Sequence, residues 1–456
     1  MAATVHSFIK LLLDFYYYLL NKVFVFPSLE KLWVIDLRTF RPYSISINHN
    51  AVQATEFRKI SPLGITASPQ DHIAKGLTLL DPGFRNTAVG ESRITHIDGN
   101  RGLLQYRQYS ISYLVTHHDY EDVVHLLVWG HLPTLDEKLN FRSRVAKQMV
   151  PDQSIIRVIQ AFSPDAPAYL IVAAGLTAWA ASDPDSVPVY RGYSIYEKDS
   201  NAVDEGIYRS LAAFATVVAI MACHQQGKPF TPHADPTLST IENMLIMMGR
   251  PHDRQAASAL NKLWILFADH EITNSTAAFL NATSCLSDPI SACVASVASG
   301  NGPLHGGAID LAYKRFKQMR NKEGVRKHMA DVKAKKTRLM GVGHRVYRTI
   351  DPRIPHLHSI MADLETNVSQ NPLLDVVLEI DRTVAEDPYF TSRKLSINAD
   401  LYSSFAYAAL GFDPRIFTPL AMTARCAGAL AHWRESMNQP PCLWRPRQVF
   451  TGEVAS

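Results

Sequence analysis

Gly302-Pro303-Leu304-His305-Gly306-Gly307 runs straight into an apolar stripe, Ile309, Ala312, Tyr313, Phe316 and Met319. The three-and-four spacing of that stripe predicts an amphipathic helix. The loop therefore delivers His305 to a helix amino terminus, where unpaired amides and the helix dipole favour negative charge. Glycines on either side leave little bulk, so a small molecule can approach the imidazole and the nearby backbone closely. Gly341-Val342-Gly343-His344-Arg345 repeats the device, and Asn398-Ala399-Asp400 adds a carboxylate. Histidine titrates near neutral pH and can donate or accept a proton. One such loop alone reads as a turn that contains histidine. Two of them with a carboxylate make a candidate base and two electrophilic partners.

Helical periodicity extends outward from this stretch and dominates from Tyr109 onward, as in Val123-Leu126-Leu127 and Leu260-Leu263-Trp264-Phe267. His270 and Glu271 read as closing the latter helix. Tyr169–Ala181 and Ile207–Ala222 are apolar on most sides and predict buried helices. Near the start, Leu32–Leu37, a turn near Arg41-Pro42, and Tyr43–Ile47 predict a small hairpin. Ile94 to Gly102 reads as strand, tight turn and return, Asp81-Pro82-Gly83 as a turn, and Ser61 to Gly76 as loop. Strand–helix alternation and internal repeats are absent. The fold class is mainly α with a small N-terminal β element.

The 456 residues, 47% hydrophobic and 19% charged, have ordinary globular composition. Length predicts two or three domains at roughly 150 residues each. Cys223, Cys285, Cys293, Cys426 and Cys442 form no C-x-x-C and no zinc spacing, which fits reduced packing cysteines in an intracellular protein. Eleven Lys or Arg lie between Lys314 and Arg338 against Glu323 and Asp331, in a chain whose net charge is +4. This run reads as a solvated helical face or a local anion site, and its place between the histidine loops favours a phosphorylated ligand over nucleic acid.

Phe8 to Phe26 is rich in Leu, Phe and Tyr but broken by Lys10, Asp14, Asn21 and Lys22. It is a weak transmembrane candidate, and a membrane-surface helix over 8–26 is an open reading. No arginine precedes Arg38, against a typical mitochondrial presequence, and the end at Glu453-Val454-Ala455-Ser456 is no peroxisomal signal. An intracellular location is expected, with mitochondria as the alternative compartment.

Asp269-His270-Glu271 has no histidine four residues beyond His270, so it is not H-E-x-x-H, and G-x-S-x-G and P-loop patterns are missing. What remains is His270, His305, His344, Arg345, Arg348, Arg353, Asp400, Arg425 and Arg445. Several arginines and histidines beside one carboxylate predict a small polycarboxylate substrate, because guanidinium binds carboxylate in bidentate fashion.

Gly302 to Ala308, Gly343-His344-Arg345-Val346-Tyr347 through Asp351-Pro352-Arg353, and Asn398 to Ser403 together resemble the citrate synthase family. So do Asp81 to Ala88, Ile97-Asp98-Gly99, Ala431-His432-Trp433 and Arg445-Pro446-Arg447-Gln448, in order from about Leu32 to Gly452. The pattern is similar to the citrate and 2-methylcitrate synthases of bacteria and fungi. The resemblance implies a mainly helical, two-domain homodimer. Its large domain would span 31–305 and 412–456 and its small domain 306–411, behind a hydrophobic extension at 1–30. It implies condensation of an acyl-CoA (acetyl, propionyl or longer) with oxaloacetate, followed by thioester hydrolysis.

By the same resemblance, Asp400 removes the α-proton, His305 steadies the thioester enolate and His344 donates to the ketone. His270, Arg353 and Arg425 bind oxaloacetate and product, Arg445 does so across the dimer, and Leu339, Met340, Gly341 and Arg348 meet coenzyme A. No metal or redox cofactor is implied, since coenzyme A arrives as part of the substrate. A non-catalytic binding protein on the same fold is the rival of another class. Two positions depart from the family pattern: Phe267 stands where relatives often have histidine, and Thr273 where they usually have asparagine. A more apolar pocket for a longer acyl group, as in an alkylcitrate synthase of secondary metabolism, is the reading these departures raise; packing drift is the other.

Overall fold

The computed structural model describes residues 30–62, 76–364 and 369–453. The expected extension before Glu30, with its membrane-surface segment 8–26, lies outside the described residues. Two compact units result, one from Met1–Glu91 with Pro446–Ser456 and one from Ser92–Arg445. The stretch expected as a small domain, 306–411, falls inside the second.

In the first unit, β1 (Lys31–Asp36), β2 (Arg41–Asn48) and β3 (Ala51–Val52) form an antiparallel sheet in that order, with Lys31 opposite Ser46 and Asp36 opposite Arg41. The hairpin is present, with its turn at 37–40, directly ahead of Arg41. Asp36 closes the turn by accepting the backbone N–H and Nε–H of Arg38 at 3.0 and 2.9 Å, and Phe40 carries φ 55°. Pro42 pairs with Ile35, while β3 reaches only Ile47 and Asn48. Pro42 thus lies outside the β3 register, in a strand position that tolerates a missing N–H.

In the second unit, β4 (Thr95–Asp98), β5 (Leu103–Tyr106) and β6 (Tyr109–Ser110) make a second antiparallel sheet ahead of the helices. The helices used below are α1 (Tyr120–Trp129), α2 (Leu135–Gln148), α3 (Ala168–Ala181), α4 (Ser200–Gln225), α5 (Arg254–Phe267), α6 (Asn274–Thr283), α7 (Ala308–Met319), α8 (Ala399–Ala409) and α9 (Phe417–Met437). The protein is thus mainly α-helical with small N-terminal sheets.

Helix α4 starts on the Asp199 carboxylate, which caps the N–H groups of Asn201 and Ala202, and every residue from Ser210 to Cys223 is buried. By length and composition it could cross a membrane, but 94% of its most apolar window is packed inside the protein. It is a core helix. Helix α9 is its counterpart, buried without interruption from Phe417 to Trp433. Full burial of each large apolar side chain there, Trp433 or Phe417 for example, contributes about 1.5–3 kcal/mol.

The structure also places the end of α5 before His270. Phe267 is its last residue, and Asp269 turns the chain by accepting Thr95 Oγ1 at 2.6 Å and the N–H of Glu271 at 3.0 Å. The Tyr106 hydroxyl on β5 donates to the carbonyls of Ile265 and Asp269 at 3.0 and 2.9 Å, so sheet and helix share one seam. Gly428 on α9 lies against that turn, its N–H donating to Ala268 O at 3.1 Å. A Cβ at Gly428 would meet this carbonyl at 2.5 Å, closer than packing allows.

Candidate active site

Four segments of the second unit meet here: the α5–α6 connection, the loop before α7, the 341–353 loop and the start of α8. His305 lies three residues ahead of α7, as its sequence predicts. Gly306 and Gly307 have a reason beyond substrate access. Their backbone folds back on Gly300 and Asn301, and a Cβ on Gly306 would sit 2.6 Å from Gly300 O. The His305 Nε2 accepts the backbone N–H of Ser275 at 3.3 Å and lies 2.8 Å from Ser275 Oγ. A backbone amide can only donate, so Nε2 holds the lone pair and Nδ1 carries the proton.

The second loop is set by opposite means. Gly341 and Gly343 adopt φ 79° and 82°, which favours glycine. His344 Nδ1 accepts the N–H groups of Val346 and Tyr347 at 3.1 and 3.2 Å, leaving the proton on Nε2. Val342 bridges to Ile397, Gly343 N–H donates to Ser396 O at 2.7 Å, and Asn398 N–H donates to Gly341 O at 2.9 Å. The Asn398 side chain donates to Gly343 O at 2.7 Å and accepts the N–H of Asp400 at 3.0 Å, capping α8. These bonds zip the His344 loop to the Asp400 turn.

Both catalytic candidates of the histidine type are neutral at physiological pH. Burial pushes His305 down to about 4, helped by the charge of Arg425. Burial does the same to His344, again to about 4, with Arg353 adding to it. Each is therefore a single-proton donor aimed by its other nitrogen. Asp400 moves the opposite way. Burial raises it from 3.8 to about 6, with Asp351 adding to the rise and Arg353 and Arg425 opposing it. A carboxylate so placed is ionised at neutral pH yet more basic than usual.

The cations are buried. Arg353 pairs bidentately with Asp351, Nε to Oδ1 at 2.9 Å and Nη2 to Oδ2 at 2.7 Å, and Asp351 also accepts the N–H of Ala399 at 3.1 Å. Arg425, on α9, is 8% exposed, and its buried Nη1 has no hydrogen-bond partner among the described residues. A buried, unsatisfied guanidinium donor is costly without a ligand, which marks this as a place for an anion. His270 Nε2 meets the Tyr347 hydroxyl at 3.0 Å, and its ring stands 5.2 Å from that of His344. Burial, with Arg353 next, holds His270 far below the usual histidine range.

The remaining expected residues are more scattered. Leu339 and Gly341 are buried and Met340 half-buried just ahead of the His344 loop. Arg348 is exposed, with its backbone N–H on Gly99 O at 2.8 Å. A Cβ on Gly99 would lie 2.8 Å from the carbonyl carbon of Val346, which explains that glycine in the β4–β5 turn. Arg445 is exposed and makes no ion pair among the described residues, so it is not gathered into the cluster within one chain. Every Lys and Arg from Lys314 to Arg338 is exposed.

The two departures acquire local explanations. Thr273 caps α6, its Oγ1 accepting the N–H of Thr276 at 3.4 Å, a task asparagine also performs. Phe267 is buried, with the Arg353 guanidinium 5.3 Å from its ring centre. Sequence reasoning missed the parts played by Ser275, Tyr347 and Asp351. Of these only Asp351 carried a signal, as a carboxylate two residues before a site arginine.

The cluster brings one buried carboxylate, two neutral imidazoles and two buried arginines together in a mainly helical fold. Residues 83–447 match the family described as "Citrate synthase, C-terminal domain". The chain is 42% identical over 435 residues to the citrate synthase-like protein oryE of Aspergillus oryzae, covering 94% of this chain and 97% of that protein. It is 34% identical to the alkylcitrate synthase tstJ of Talaromyces stipitatus, over 93% and 94% of the two chains. Among solved structures it is similar to citrate synthase of Thermoplasma acidophilum in ternary complex with carboxymethyl coenzyme A and oxaloacetate, with TM-score 0.75, 28% identity and coverage of 83% and 97%. The chain belongs to the citrate synthase family. Its general reaction is the family's condensation of an acyl-CoA with oxaloacetate.

Proposed function

We propose that Asp400 removes the α-proton of the acyl thioester, His305 donates from Nδ1 to the thioester oxygen, and His344 donates from Nε2 to the ketone oxygen of oxaloacetate. The observation that carries this reading is the pair of neutral imidazoles, each with its proton-bearing nitrogen fixed by backbone amides, beside a carboxylate raised to about 6. A thioester α-proton is weakly acidic, so a lone carboxylate needs donors already in place where the enolate charge develops. The enolate carbon then adds to the ketone carbon, and the alkoxide so formed takes the His344 proton. Water finally attacks the thioester carbonyl and releases coenzyme A as its thiol.

Arg425, with its unpartnered Nη1, Arg353 and His270 receive the carboxylates of oxaloacetate and product. Leu339, Met340, Gly341 and Arg348 meet coenzyme A. Residues 306–411 form the small domain and close against the large one, excluding water from the enolate. Arg445 serves the site of a second copy in a homodimer, a role suited to its exposure and to its making no ion pair among the described residues.

A second reading concerns the acyl group: condensation of a long acyl-CoA to an alkylcitrate. Similarity to tstJ, named an alkylcitrate synthase, supports it. A thiol-release assay with oxaloacetate and acetyl-, propionyl- and hexanoyl-CoA tests both. A kcat/KM for hexanoyl-CoA above that for acetyl-CoA supports the alkylcitrate reading, and strong acetyl preference removes it. No thiol release with any of the three overturns the catalytic assignment.

A further inference from the structure

Away from these residues, the connection between α1 and α2 gathers His125, His131 and Glu137, each offering a ligand atom within 4.8 Å of the other two. His125 is on the last turns of α1 and is 7% exposed. Its Nδ1 lies 3.0 Å from the His131 carbonyl, which can only accept, so the proton sits on Nδ1 and Nε2 presents a lone pair. A histidine whose second nitrogen donates to a backbone carbonyl is oriented as metal-binding histidines are.

Glu137 is prepared in the same way. Its Oε2 accepts the N–H and Oγ1–H of Thr134 at 2.8 and 2.9 Å as part of the capping box of α2. The other oxygen, Oε1, is turned to His131 Nε2 at 3.0 Å. Gly130, with φ 89°, makes the left-handed cap that brings His131 back over α1. Two ligands are thus held from behind by groups that do not themselves bind metal. The third, His131, is exposed and free to adjust.

We propose that His125, His131 and Glu137 form a binding site for a divalent transition ion of the Zn2+ type, with its fourth position open to water. Two imidazoles and one carboxylate suit Zn2+ by ligand type. Ligand bonds of about 2.0–2.1 Å require the donors to draw together from their present spacing. That movement falls on His131 and Glu137, the exposed and half-buried members. The site clamps α1 to α2 and shares no residue with the condensation cluster. It therefore acts on stability rather than on the reaction.

The test uses full-length, tag-free protein stripped with chelator and titrated with Zn2+ alone in competition with a chromophoric chelator. One ion per chain is expected, with a rise in Tm and, for Co2+, the visible bands of a distorted tetrahedral site. Because His125 is buried, the deciding variants are His131→Ala and Glu137→Gln. The second keeps an oxygen for Thr134. Each should weaken binding at least tenfold and abolish the metal-induced rise in Tm, while thiol release stays at the parent rate. No stoichiometric binding, or binding unchanged in both variants, overturns the site.

Discussion

Ser275 donates its backbone N–H to Nε2 of His305 across 3.3 Å, and this bond decides which His305 nitrogen holds the proton. The amino terminus of α6 thereby orients a side chain at the amino terminus of α7. Loss of an oxyanion donor typically costs ~100-fold or more in kcat. His305→Ala should fall by that order in thiol release while oxaloacetate binding, followed by calorimetry, stays near the parent value. Ser275→Ala removes the hydroxyl at 2.8 Å but leaves the amide, and should fall by less. Parental turnover in His305→Ala would remove the enolate-donor role.

Asp400 sets the pH dependence. As a base it must be ionised, so kcat/KM should drop tenfold per pH unit below about 6, while His305 and His344, at about 4, stay neutral through that range. Asp400→Asn should abolish turnover. Its stability has a defined sign. A carboxyl raised above its unfolded value costs stability as pH climbs from 3.8 through about 6. The Asn variant should therefore melt higher than the parent above pH 6, and the gain should vanish below about pH 4. Equal melting temperatures at pH 7.5 would contradict the raised pKa.

Gly428→Ala tests the seam between α9 and the Asp269 turn. A methyl there would lie 2.5 Å from Ala268 O and 2.7 Å from Asp269 Cβ, atoms fixed by backbone and burial. Overpacking of this kind costs about 1–3 kcal/mol. Denaturant unfolding should show that loss, and an unchanged midpoint would mean the seam yields freely.

Arg445 predicts complementation. If it serves the neighbouring copy's site, co-expressed Asp400→Ala and Arg445→Ala chains should form mixed dimers with one intact site each. Random pairing then restores roughly a quarter of parental activity. Activity no higher than that of two inactive pools would place Arg445 in its own chain's site, and an active Arg445→Ala pool would place it outside the chemistry.

Phe267 packs on Arg353, so it is expected to act on the carboxylate end of the pocket rather than on the acyl chain. Phe267→His should raise KM for oxaloacetate severalfold and leave the ratio of kcat/KM between acetyl- and hexanoyl-CoA unmoved. A shift in that ratio would return Phe267 to the acyl pocket.

Much of the fold and part of the site were legible in local pattern. The stripe after Gly307, the apolar runs that became α3 and α4, and the strand and tight turn expected within Ile94 to Gly102 depend on neighbours in sequence, so periodicity reports them, although the return strand runs on from Leu103 to Tyr106. The exact limits of the turn before Arg41 and the end of α5, which falls at Phe267 rather than at His270 and Glu271, are not local properties. Each is fixed by one carboxylate, Asp36 or Asp269, and Asp269 takes a partner from as far away as Thr95.

By itself the sequence determined that two glycine-bound histidines, one carboxylate and several arginines were present, and that His305 would sit ahead of a helix. Tertiary structure alone decided that Val342 meets Ile397 and so joins His344 to Asp400. It also decided which imidazole nitrogens keep their protons and that Arg425 keeps a buried donor unpaired. The physical reason is that protonation and ligand affinity depend on burial and on partners brought in from distant segments. No local pattern encodes those.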